Sequence, residues 1–266
     1  MDRSVSCRFD ARIDETADVV VSVAVADGVP RRTESLAVTL DGAGVAVREV
    51  LDQHGTRLHL APALGPGRIE VTYSASVSGP EPEVPQDEVD LIRYTRPSRY
   101  CESDRLAPFA RDEFGGLAGA ELVEAVSAWV SARIAYIAGS SRPTDGAVAT
   151  LLARQGVCRD FAHLVVALLR GCDVPARIAS VYAPGLDPMD FHAVAEVLVD
   201  GRWVAVDATR LAPRPSLVRI ATGRDAADIA FLTTTGGRVD MGWLDVMAIT
   251  DGDLPSDDHI GFTELG

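Results

Sequence analysis

The chain has 266 residues, 47% of them apolar and 24% charged, so it can bury a globular core and is neither a disordered nor a fibrous sequence. Its 39 carboxylates outnumber 25 basic residues and leave a net charge of −14, which excludes the clustered positive surface that nucleic acid would require. Every basic residue is arginine; codon bias accounts for this more simply than an amine-crosslinking enzyme that must avoid donating its own lysines.

The segment Met1 to Cys7 lacks a basic region followed by an apolar stretch, and the run Val19 to Ala26 is too short to span a bilayer. The expected compartment is the cytoplasm, with no membrane partner. The four cysteines (Cys7, Cys101, Cys158, Cys172) are scattered without a Cys-x-x-Cys pair, so free thiols are expected, with no metal and no cofactor.

Residues 1–80 show short β-rich runs, such as Val19 to Val25 and Arg68 to Tyr73, separated by Asp27-Gly28, Asp41-Gly42 and His54-Gly55. This predicts an all-β, sandwich-like N-terminal domain. The stretch Gly79-Pro80-Glu81-Pro82-Glu83-Val84-Pro85 opens a linker placed at 81–105, and 106–266 is expected to be a second, core domain. Helical spacing predicts one helix from Ala118 to Ala138 and a short one from Gly146 to Arg154.

Gln155-Gly156-Val157-Cys158-Arg159-Asp160-Phe161 opens a further helix, with Phe161, Leu164, Val165, Leu168 and Leu169 as its apolar stripe and Gly171 at its end. A cysteine in a first helical turn faces unpaired amides and the positive dipole end, which favour a thiolate. For a lone cysteine of unknown context, a small buried hydrophobe is the plainer reading. Asp160 is expected to complement the dipole, and His163, five residues on, to be structural.

Phe191 to Val199 and Arg202 to Asp207 are alternating runs joined by Asp200-Gly201, a type I′ hairpin signal. Pairing Val199 with Arg202 makes partner numbers sum to 401, so Asp207 falls opposite Val194 and diagonal to His192 on one face, within roughly 7–8 Å at the backbone. Ala193, Ala195, Val197, Val199, Val204 and Val206 then take the other face, the expected core side. Alone, a His–Asp pair there could be structural.

The three segments Gly156 to Ala162, Phe191 to Ala193 and Trp203 to Thr209, in the order Cys, His, Asp with separations of 34 and 15 residues, resemble the bacterial transglutaminase-like superfamily. The stretch Arg96 to Asp104 is similar to the segment joining a β-rich domain to the core in that family. The resemblance implies an α+β fold: a papain-like core whose cysteine-bearing helix packs on an antiparallel sheet bearing histidine and aspartate. It implies Cys158 as nucleophile, His192 as base and Asp207 as its orienting partner, forming a thioester with a peptide, protein or small amide substrate. The Cys158 amide, with Gln155 as a second donor, would hold the oxyanion. Hydrolysis is the default over crosslinking. The competing readings are an interaction module that keeps the fold without catalysis, and metal binding by Cys158 and His192, which lacks ligands.

Overall fold

The computed structural model describes residues 1–80 and 87–265. The first eighty residues form β1 (Asp2–Ile13), β2 (Ala17–Val21), β3 (Arg31–Leu40), β4 (Ala43–Gly44), β5 (Arg48–Leu51), β6 (Arg57–Leu64) and β7 (Gly67–Ser78). Alternation explains their faces: Ile69, Val71, Tyr73, Ala75 and Val77 of β7 are buried, while the intervening Thr72 and Ser74 face solvent. The Asp41-Gly42 turn between β3 and β4 has φ of 49° and 81°, the left-handed pair that a two-residue hairpin needs.

Residues 81–86, the proline-rich part of the expected linker, lie outside the described residues. Beyond them the expected linker contains α1 (Glu88–Arg93), whose first turn is capped by the Asp87 carboxylate accepting from Val89 N–H at 3.0 Å, and the start of α2 (Ser103–Phe114). There follow α3 (Gly119–Arg133), β8 (Ala135–Tyr136), α4 (Ala147–Ala153), β9 (Gln155–Gly156) and α5 (Cys158–Gly171). The helix expected to reach Ala138 stops at Arg133. Ile134 turns extended, and the next residues pair in parallel with β9, Ala135 N–H donating to Arg154 O at 2.9 Å and Ile137 N–H to Gly156 O at 3.0 Å.

The strands β10 (Ala176–Tyr182), β11 (Phe191–Val199), β12 (Arg202–Val206) and β13 (Val218–Gly223) form an antiparallel sheet in the order β12-β11-β10-β13. Its β11–β12 register pairs Val199 with Arg202 and Ala195 with Val206, as the turn chemistry of Asp200-Gly201 (φ 49° and 80°) dictates. Helix α5 lies on this sheet. Ala195, Val197, Val199, Val204 and Val206 join Leu164, Val165, Leu168 and Leu169 in one core. The helix is buried on every side from Asp160 to Gly171, because α2, α3 and α4 cover the face turned from the sheet. The opposite sheet face is not open either: Val194 and Ala205 pack with Leu186, Leu217 and Leu265 in a smaller apolar cluster.

The chain then returns to its beginning. β14 (Leu232–Gly236) pairs with β2, and β15 (Val239–Thr250) pairs with β1 along its length. The N-terminal sheets therefore run β15-β1-β7-β3-β4 and β14-β2-β6-β5 and share one core that includes Val246 and Ala248. Residues 232–250, which a division at residue 106 assigns to the C-terminal domain, complete the N-terminal one. The two halves are stitched by Tyr182, which stacks on Tyr73 with centroids 6.3 Å apart and donates to Val23 O at 2.8 Å.

A charged group is also buried between them. Glu196 on β11 accepts from Arg177 Nε at 2.8 Å and from Arg219 at 2.6 and 2.7 Å, and the Arg177 guanidinium lies 3.9 Å above the Trp203 ring. Arg177 also meets His54 Nδ1 of the N-terminal half at 3.3 Å.

Candidate active site

The start of α5 is built by Asp160. Its Oδ2 accepts from Val157 N–H at 2.8 Å and its Oδ1 from Ser141 Oγ at 2.9 Å, so the carboxylate expected to serve the dipole also ties the preceding loop to the first turn. Gly156 leaves room for it: a Cβ there would stand 2.6 Å from Asp160 Cβ. Val157 is extended (φ −114°, ψ −178°), and Cys158 is the first helical residue, half-buried, with its amide at the open end of the helix.

His192 reaches this point from β11. Its Nε2 meets Asp207 Oδ2 at 2.8 Å, and both side chains are only 1% exposed. Asp207 is fixed in turn by Thr209, whose amide and hydroxyl donate to Oδ1 at 2.9 and 2.6 Å. The other ring nitrogen, Nδ1, has no hydrogen bond of ordinary geometry, and the group beside the imidazole other than Asp207 is Cys158. Burial alone would push the imidazole down, but the Asp207 carboxylate and Cys158 outweigh it and push it up to about 10. Burial works against Asp207 too, yet its histidine and threonine partners hold the carboxyl below the usual range.

Family comparison follows from this geometry. A presumed cysteine protease from Cytophaga hutchinsonii has a solved structure that matches 97% of this chain and 94% of its own, with a TM-score of 0.86 and 32% identity. The transglutaminase-like superfamily model matches residues 110–208, the span that holds Cys158, His192 and Asp207. The chain belongs to the transglutaminase-like superfamily. Among curated relatives, an uncharacterized protein of Mycobacterium tuberculosis is 37% identical over 110 residues, 35% of each chain. One of Mycobacterium leprae is 28% identical over 116 residues, 41% of this chain and 42% of its own. The match thus spans less than half the length of either mycobacterial protein. Family and fold together point to a thiol-dependent enzyme.

In this transglutaminase-like site the other expected donor lies on the short strand β9. Gln155 is exposed, its backbone pairs with Ala135, and it borders a polar depression of about 280 Å³ with Ser140, Arg142 and Asp145. Tyr136, read from sequence as helical, is the residue that meets Cys158. It pairs with Gly156 across β8 and β9, its ring leans on Phe161 at 6.0 Å, and its hydroxyl lies in the neighbourhood of Cys158. Asp190, just before β11, is exposed and interacts electrostatically with both Tyr136 and His192. His163 is turned away behind the helix, stacked on Tyr100 at 5.5 Å and accepting from Ala226 N–H at 3.1 Å; burial pushes it down to about 3.

All four cysteines are free. Among the described residues no helix is long and apolar enough to cross a membrane.

Proposed function

We propose that the protein cleaves or transfers acyl groups at a carboxamide or peptide bond through a thioester on Cys158. The observation that carries this reading is the buried His192–Asp207 hydrogen bond of 2.8 Å, with Cys158 against the other side of the same imidazole. A protonated His192 supports a thiolate beside it. The sulfur attacks the amide carbon, the C–S bond forms, and the carbonyl oxygen takes the negative charge. The Cys158 amide at the open end of α5 is the first donor to that oxyanion, and the Tyr136 hydroxyl beside it is the candidate second. In this reading Tyr136 stands beside Gln155 as a candidate for the second donor.

Collapse of the intermediate breaks the C–N bond while His192 gives its proton to the departing amine. The neutral imidazole then takes a proton from water or an acceptor amine as it attacks the thioester, and the thiolate and imidazolium are restored. Asp207 keeps the ring oriented and its cation stabilised throughout. Hydrolysis is the default outcome, water being the acceptor that needs no dedicated site.

The test is acylation by an activated ester, p-nitrophenyl acetate, followed by intact-protein mass spectrometry. An acetyl adduct on Cys158 that hydroxylamine removes, absent in Cys158→Ala and slowed by roughly 10- to 100-fold in Tyr136→Phe, supports the reading. Nitrophenol release unchanged in Cys158→Ala contradicts it.

A further inference from the structure

We propose that the mouth of this site selects substrates with a positive charge close to the scissile carbonyl, Asp190 supplying the anionic partner and Tyr136 an aromatic neighbour. The inference rests on the thiol reading above and asks which amides that site takes. Asp190 immediately precedes β11, two positions before His192 along extended chain, so the two lie about 6–7 Å apart at the backbone on the same side. Its Oδ1 accepts from Phe191 N–H at 2.7 Å, which aims the carboxylate and leaves Oδ2 open to a ligand.

The charges nearby leave Asp190 unbalanced. His192 is the cation that acts on it, and that charge is already matched by Asp207 at 2.8 Å. Arg159, in the first turn of α5, is directed elsewhere, donating to Ser141 Oγ at 2.6 Å and Arg142 O at 2.8 Å. Asp190 is exposed, so an entering ammonium or guanidinium can pair with its open Oδ2. Tyr136 is 45% exposed, so it offers an aromatic surface to a cation at the same site. The net charge of −14 draws cations to the same mouth.

The experiment uses the whole protein and two methanethiosulfonate reagents of similar size, one ending in trimethylammonium and the other in sulfonate. Their rates at Cys158 are read by mass spectrometry in the wild type, Asp190→Asn, Asp190→Glu and Asp112→Asn, the last a remote exposed carboxylate on α2. The cation-to-anion rate ratio is expected to fall about threefold to tenfold in Asp190→Asn, the effect of one nearby charge at moderate salt, to persist in Asp190→Glu, and to be unchanged in Asp112→Asn. A parallel pair of fluorogenic peptide amides, with arginine or citrulline beside the scissile bond, should show the same loss in kcat/KM preference. A ratio unaltered in Asp190→Asn, or lowered equally by Asp112→Asn, overturns the proposal. Slow labelling of wild-type Cys158 by both reagents, no faster than Cys172, overturns the thiol reading beneath it, and is distinguished by lost rate rather than lost preference.

Discussion

Gly156 and Asp160 compete for one volume: an added Cβ on the glycine would lie 2.6 Å from Asp160 Cβ and 2.9 Å from its Oδ2, the oxygen that receives Val157 N–H. The first turn of α5 is therefore assembled by a contact that tolerates no side chain at residue 156. Gly156→Ala should cost about 1–3 kcal/mol through overpacking and displace Cys158 with the turn. Thermal unfolding and the rate of Cys158 alkylation check this together; a variant with unchanged melting temperature and rate would contradict it.

Thr209 is expected to matter through Asp207. Its hydroxyl donates to Oδ1 at 2.6 Å, and Thr209→Val removes that bond at nearly constant volume. The loss should be about 1 kcal/mol in stability, with a drop in kcat and little change in KM, because the residue touches no substrate. Equal kcat in the two proteins would remove Thr209 from the positioning chain.

Glu196 holds the fully buried Arg177 in the interior, and removing its charge leaves that cation without its carboxylate partner. Glu196→Gln is predicted to lose about 3–5 kcal/mol in denaturant unfolding. Burial opposes its ionisation, but the two arginines hold the carboxyl well below the usual range. Its contribution is therefore fully present above about pH 4.3 and fades only as the solution becomes strongly acid. The difference between wild type and Glu196→Gln should be constant from pH 5 to 8, on the order of those few kcal/mol, and shrink below that. A difference that grows on acidification would contradict the assignment.

How much of this was legible depended on whether the partners lay close along the chain. His192, Asp207 and their shared face followed from Asp200-Gly201, because a two-residue loop leaves one register. Cys158 at a helix start followed from Gly156 and the apolar period after it. Tyr136 was hidden because Ile134 and Ile137 continue the helical spacing, and only pairing with Gly156, twenty residues later, shows that the chain is extended there. Glu196 carries no local signal of burial, because its arginine partners sit on two other strands. The return of β15 to β1 joins residues over two hundred positions apart, beyond any local pattern.

His192 gives a second pH signature. Its imidazole is raised in the folded protein to about 10, against about 6.5 in an unfolded chain. The charged pair with Asp207 thus contributes fully below about pH 6.5, and its contribution is lost as pH rises through about 10. Unfolding free energy should decline from pH 7 to 10 more steeply in the wild type than in His192→Ala. Parallel slopes would show that the imidazole is neutral in the fold.

The central claim is that Cys158 is an activated nucleophile, and alkylation by iodoacetamide across pH, read residue by residue by mass spectrometry, tests it without a substrate. Burial pushes the Cys7 thiol up to about 11 and Cys101 up to about 12 and raises Cys172 as well, so none should compete near neutrality. The account predicts selective labelling of Cys158 at neutral pH, slowed at least about tenfold in His192→Ala. Labelling of Cys158 no faster than Cys172, or unaffected by His192→Ala, would contradict it.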